Sequence, residues 1–323
     1  NTCYIKWTGS SNKINYIGGL HPMDWLLFAL ASASTFGTVT VLDKMLISHH
    51  VPNARTFIVM VGIAQLSIAL LIYPLTVNSP FTMTSISLSL ISGMVSGAYL
   101  IIMFSILASQ EVSRVVPVVS TYPVFVALMA LVFLDENVTG LAWIGIFTTV
   151  GGAALVSLGP SKNPNITKGT ISALFLLLLA SLAFGLSQFI TKAISQEISL
   201  WNQLFWRNIG VALACGSLVM LPGVYRNVRF LFRRPKSIIY IMATEAGLVF
   251  FASLFLFLSI YSGEVYLTST VMATRPLFVF IISLILSLPF IGVFEEPFKG
   301  QPMFIRTTGT ALTVGGVIAV SIL

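Results

Sequence analysis

Apolar residues in this chain run in long stretches broken by short polar punctuation, instead of alternating in short segments. Ten stretches can be drawn: 24–47, 54–76, 83–109, 112–134, 138–158, 168–195, 200–222, 236–261, 264–289 and 300–323. A helix needs about 20 residues to cross the hydrocarbon layer, and each stretch is long enough. A membrane barrel would instead show segments of roughly 10 residues with alternating polarity. Between the stretches lie turn-forming clusters: HHVPN at 49–53, VNSP at 77–80, LDEN at 134–137, GPSKNPN at 159–165 and FEEPFKGQP at 294–302. The longest basic connection is YRNVRFLFRRPK at 225–236. Residues 1–22 form a polar tail without the basic-then-apolar order of a signal peptide. The pattern predicts an all-α integral membrane protein with ten transmembrane helices.

The chain also repeats itself. Shifted by 153, EVSRVVPVVSTYPVFV (111–126) lands on EVYLTSTVMATRPLFV (264–279) with seven identities in 16 positions, among them Glu111/Glu264, Thr121/Thr274 and Pro123/Pro276. Shifted by 164, GIFTTVGGAALVS (145–157) meets GTALTVGGVIAVS (309–321) with seven identities in 13. Shifted by 148, Phe36-Gly37, Lys44, Gly62 and Pro74 fall on Phe184-Gly185, Lys192, Gly210 and Pro222. Shared apolar composition would not preserve Glu, Lys and Pro in order. The reading is a duplicated five-helix unit, 23–160 and 161–323. Because five is odd, the second copy enters the membrane from the opposite face. Inverted repeats of this kind place a binding site near the midplane between the halves and suit alternating access.

Composition narrows the function classes. Charged residues make up 8% of the chain and apolar ones 56%, far from the quarter or so charged in soluble domains. The net charge of +7 sits in loops, where it speaks to lipid and orientation and not to nucleic acid. Twelve basic residues follow odd-numbered stretches, against Lys6, Lys13 and Lys192 on the other side, which would place both termini outside the cytoplasm. Cys3 and Cys215 suggest no disulfide or zinc framework, and the adjacent His49 and His50 lack further metal ligands, so neither a cofactor nor a metal is expected. No GxxxxGK[ST], HExxH or GxSxG occurs, which argues against ATP drive and against an intramembrane enzyme.

The candidate chemistry is what lies inside the apolar stretches. Arg275 falls roughly 16 Å into the ninth, where an ionisable group suggests function by default. Glu245, at similar depth in the eighth, is expected to neutralise it and is the single candidate proton carrier. No carboxylate pair is apparent. Tyr122 occupies Arg275's place in the first copy, so one half offers a charge and the other a phenol. Pro117, Pro123 and Pro276 free backbone carbonyls and are read as cavity-lining and gating residues, with a simple packing kink as the alternative. Tyr99, Gln188, Gln203 and Arg207 are further substrate-binding candidates, and Gln65 and Asn208 are interhelical hydrogen-bonding groups. Lys44 and Lys192 are expected to snorkel, and Glu111 and Glu264 to cap helices. The glycines of GMVSG (93–97), 151–152 and 315–316 suit close helix packing, within the bundle or in a homodimer.

In the order of these motifs the chain resembles the drug/metabolite transporter superfamily, specifically EamA-type ten-helix carriers. The matching features are a proline-bearing fourth helix, LDENVTG with Glu136, then TTVGGAALVS, and in the second half TRPLFVF, EEP (Glu295, Glu296) and LTVGGVIAVS. The resemblance implies two EamA-like repeats, cytoplasmic termini and a role for Arg207 as the arginine such carriers place in the second helix of a repeat. Thr274 stands where phosphate-substrate carriers of the superfamily place a lysine. The expected function is a secondary transporter in the cell membrane, moving a small polar, anionic or zwitterionic solute. A non-transporting receptor or scaffold that keeps the carrier fold is the alternative.

Overall fold

The computed structural model describes residues 24–77, 81–110, 112–134, 136, 138–156, 168–286 and 301–321. The tail, Glu111, the 159–165 linker, the EEP stretch and the side chain of Pro117 lie outside them. Every regular element among the described residues is helical: α1 (Asp24–His49), α2 (Ala54–Ile72), α3 (Met83–Leu107), α4 (Val112–Val119), α5 (Tyr122–Phe133), α6 (Gly140–Val156), α7 (Lys168–Ala193), α8 (Leu200–Gly216), α9 (Val224–Leu231), α10 (Pro235–Met242), α11 (Val249–Ser262), α12 (Val265–Met272), α13 (Arg275–Leu286) and α14 (Gln301–Ser321). A π-helical segment, Ala243–Leu248, joins α10 to α11.

Six helical segments are long and apolar enough to cross a membrane: Asp24–His49, Ala54–Leu75, Met83–Leu107, Ser172–Ala193, Pro235–Ser262 and Val265–Ile282. A seventh is reached if Leu200–Met220 and α9, which meet at a bend of 110°, count together. The chain is therefore a multi-pass integral membrane protein, although length and apolarity alone do not reach ten spans. The fourth stretch is short because it is broken: α4 and α5 are separate helices, and the fifth, α6, has 17 residues.

Local chemistry sets the ends of several helices. Asn53 accepts from the Thr56 N–H, Ser199 from the Asn202 N–H, and Thr82 and Ser85 form a capping box at the start of α3. The basic stretch expected as a plain connection is instead the amphipathic helix α9. It buries Val224, Val228 and Leu231 and exposes Arg226 and Arg229. The turn into it is made at Gly223, with φ +80°, a conformation that favours glycine.

Packing is reciprocal. α1 lies against α11, α12 and α13, and α7 lies against α3, α4 and α5. α2 packs on α8, and α6 on α14. The expected glycines serve these contacts inside the chain. A Cβ at Gly93 would overlap the Arg207 carbonyl, and one at Gly152 would crowd Gly309 and Thr313, as one at Gly316 would crowd Gly145 and Thr149. Gly151 and Gly315 have open space beside them.

Candidate functional site

The breaks in the fourth and ninth stretches build the site. α4 ends and α5 begins around Ser120–Thr121, and 153 residues later α12 ends and α13 begins around Ala273–Thr274. The backbone bonds there match: Thr121 N–H to Val118 O and Val124 N–H to Thr121 O in one half, Thr274 N–H to Val271 O and Leu277 N–H to Thr274 O in the other. Pro123 and Pro276 are the second residues of α5 and α13. Proline is tolerated at this position because the first-turn N–H has no partner inside the helix. These prolines thus start new helices.

Each break delivers a side chain to the same kind of setting. Arg275, first residue of α13, donates from Nε to Thr40 Oγ1 at 2.9 Å and from Nη1 to the Tyr99 hydroxyl at 3.3 Å, and Nη2 also bonds Thr40. Its guanidinium lies over the Phe36 ring, 5.4 Å from the centroid. Thr40 gives its own proton to Phe36 O, and Tyr99 gives its proton to Met103 Sδ, so both oxygens are available as acceptors. Tyr122, first residue of α5, donates to Ser269 O at 3.2 Å and stands edge-on to Phe184 at 4.8 Å. Gln188 adjoins it and takes a bond from Ser269 Oγ at 3.1 Å. Under the shift of 148, Phe36 matches Phe184 and Thr40 matches Gln188. Both breaks reach this position through a glycine: a Cβ at Gly37 would overlap Phe278, and one at Gly185 would press on the Tyr122 carbonyl.

Tyr99, Tyr122 and Arg275 line one cavity with Phe184, Met103 and Met272. Its open centre is about 10 Å³, room for about one water. Around Arg275 the walls come from both halves, but the groups bonded to it are hydroxyls, and Glu245 acts on it only through space. Glu245 Oε1 and Asp43 Oδ1 are both buried without a hydrogen-bond partner. Asp43 is 1% exposed and Glu245 2%. The sequence reading did not single out Asp43 and named Glu245 alone.

The remaining candidates gather elsewhere. Arg207 donates to Ser96 Oγ at 2.9 Å and lies over Phe257, while its Nε has no partner. Gln203 donates to Thr191 O and accepts from the Tyr261 hydroxyl at 2.5 Å. Both belong to a polar seam with Ser92, Ser187 and Thr191 and are absent from the cavity wall. Gln65 is buried, as expected of a packing group.

The lysines do not snorkel. Lys44 Nζ donates to Leu107 O (2.6 Å) and Gln110 O (2.9 Å), and Lys192 Nζ to Ile260 O (3.0 Å) and Gly263 O (2.6 Å). Each cation satisfies the orphan carbonyls at a helix C-terminus, α3 for Lys44 and α11 for Lys192. Glu264 makes no side-chain cap bond at the start of α12. Its place is taken by Glu136, which accepts from Val265 N–H at 3.3 Å. Burial pushes the Glu136 carboxyl above its ordinary range, opposed by nearby Lys192 and by that bond.

A multi-pass helical membrane protein with a charged, aromatic-lined centre is the class that fold and site define. Residues 23–158 match the EamA-like transporter family. The uncharacterized transporter YwfM of Bacillus subtilis (strain 168) is similar at 22% identity over 161 residues. That match covers 50% of this chain and 52% of the relative, so the chain aligns with about half the length of that curated protein. One solved crystal structure shares the fold with a TM-score of 0.63 at 12% identity, covering 92% of this chain and 95% of the other.

Proposed function

We propose that this protein is a secondary carrier of the cell membrane, built as ten transmembrane helices in two inverted five-helix repeats, 23–160 and 161–323. It moves a small polar solute by alternating access through the cavity between them. The observation that carries the reading is Arg275: a permanent charge at a helix break, on a cavity wall, bonded to neutral hydroxyls. A solute anion can exchange for those hydroxyls at little cost, since a charge-assisted bond is about twice as strong as a neutral one. The nearby carboxyl pair leaves the site suited to a carboxylate or a zwitterion. Reciprocal packing supports the repeat, and the closed cavity is what an occluded state between two openings would show. The family match over 23–158 and a relative named as a transporter support the same conclusion.

Thermal stabilisation against a panel of amino acids and organic acids tests it, on wild type, Arg275→Ala and the milder Tyr99→Phe. A ligand that stabilises wild type, stabilises Tyr99→Phe less and leaves a folded Arg275→Ala unmoved locates the site. Flux of that ligand in reconstituted vesicles then separates carrier from receptor. Binding with no flux under any gradient supports the receptor reading.

A further inference from the structure

We propose that α9 and the turn after it form a binding surface for an anionic phospholipid, with the arginines on its headgroup phosphate. The inference concerns a face outside the cavity, so it stands whether the protein is a carrier or a receptor.

Placement comes first. The segment Leu200–Met220 and α9 meet at 110°, and the turn is made at Gly223. Pro235 then opens the next apolar span, Pro235–Ser262. The chain thus leaves one span, runs along α9 at close to a right angle to it, and enters another. That is the course of a helix lying along the membrane surface. A free interfacial helix buries its apolar face in the headgroup boundary. α9 does not, because Val224, Val228 and Leu231 belong to the main core cluster and the helix packs on α2 and α10. The protein holds the apolar stripe, and the opposite face is fixed outward.

The outward face carries one sign of charge. Arg226 and Arg229 lie three residues apart and share one side of the helix. Arg233, Arg234 and Lys236 follow, and all five side chains are exposed. No Asp or Glu occurs between Glu197 and Glu245, so this part of the chain contains nothing to neutralise them. Like charges this dense repel one another, and an anion placed among them relieves the repulsion.

Apolar groups flank the charge. At 3.6 residues per turn, Tyr225 and Phe230 fall on either side of the Arg226–Arg229 stripe. Tyr225 is 65% exposed and Phe232, just past the helix, 54%. The Arg234 guanidinium lies over the Phe230 ring, 4.7 Å from its centroid. Before the bend, Leu213, Met220 and Leu221 are exposed as well.

Each feature answers one part of a phospholipid. Guanidinium forks pair with phosphate oxygens two at a time. Aromatic side chains settle at headgroup depth. The apolar side chains before the bend give an acyl chain something to lie against. A soluble anion would use the arginines alone and leave the rings and the apolar flank bare. Basic side chains beside a membrane span are also drawn to an anionic leaflet, where the ligand is already at hand.

The test is native mass spectrometry of the purified full chain in neutral detergent. Phosphatidylglycerol and phosphatidylcholine with identical acyl chains are offered in equal amounts. Wild type should retain phosphatidylglycerol with a severalfold preference. That preference should shrink as ammonium acetate is raised, because salt screens exposed charges. Arg226→Gln and Arg229→Gln should each weaken retention roughly fivefold, and the double variant more than either. Tyr225→Ala should weaken it less, with the preference between the two lipids kept. Both arginines are exposed, so folding survives their loss, and the salt series on wild type needs no variant. Equal retention of the two lipids, a preference indifferent to salt, or a double variant that binds like wild type overturns the proposal. Displacement of the lipid by inorganic phosphate would assign the face to soluble anions. Displacement by an acidic peptide would assign it to a protein partner. Either result overturns the lipid assignment.

Discussion

The two halves place different chemistry on one geometry. In the charged arm, Arg275 meets Thr40, and Asp43 and Glu245 are buried acids. In the neutral arm, Tyr122 meets Gln188, and Thr191 meets Ser92. The aromatic beneath each, Phe36 or Phe184, and the glycine that admits each helix break, Gly37 or Gly185, are the same. The matched positions thus share a geometry, and four of them carry different side chains in the two arms. The neutral arm shows that the fold needs only polar, hydrogen-bonding side chains there. The ionisable set in the charged arm exceeds what packing requires, which is the physical ground for reading it as function.

The largest effect on this comparison is expected from Arg275→Ala. It removes the charged hydrogen bonds to Thr40 and Tyr99, about 1.5–3 kcal/mol each. Thermal melting checks this, and a loss no larger than that of Tyr122→Phe would show that these bonds do not hold the helix break. Next comes Lys192→Met, which removes two carbonyl caps and the cation facing Glu136, about 2 kcal/mol by the upper range for charges at helix ends. Lys44→Met removes the matching caps on α3, and a smaller loss there would assign the difference to Glu136. In the neutral arm, Tyr122→Phe deletes one hydrogen bond and should cost about 1 kcal/mol, with no change in how stability depends on pH.

The smallest effect belongs to Glu136→Gln, a few tenths of a kcal/mol, but it has a signature. A carboxyl whose folded pKa is raised keeps its proton longer in the folded state. Its contribution therefore falls as pH rises from the unfolded titration through the folded one. The substituted amide cannot titrate, so the variant's melting curve should be flatter across that window than wild type. An equally steep dependence in the variant would place the titrating group elsewhere.

Much of this was legible beforehand, and the reasons are local. Helical, membrane-spanning character follows from the length of apolar runs. The breaks follow from Pro123 and Pro276, because the ring forbids continuation whatever surrounds it. The correspondence of Tyr122 with Arg275 follows from matching two stretches of text. The depth of Arg275 is a matter of counting. What could not be read concerns partners. Lys44 and Lys192 stand near helix ends, where snorkelling is the default, and only the tertiary fold brings the carbonyls at the ends of α3 and α11 within their reach. Glu264 has the position of a cap, yet the N–H it precedes is met by Glu136 from across the repeat boundary.

Asp43 marks the boundary most clearly. The order of residues alone establishes that the chain is a helical membrane protein, that several of its motifs recur in order, and that a few ionisable groups fall within its apolar stretches. Those properties depend on runs, periods and self-similarity along one dimension. Which of those groups meet was settled in three dimensions, because a helix face is chosen by docking, and 202 residues of chain separate Asp43 from Glu245. That both acids are buried, with Asp43 Oδ1 and Glu245 Oε1 left without a hydrogen-bond partner, is a fact of that docking alone.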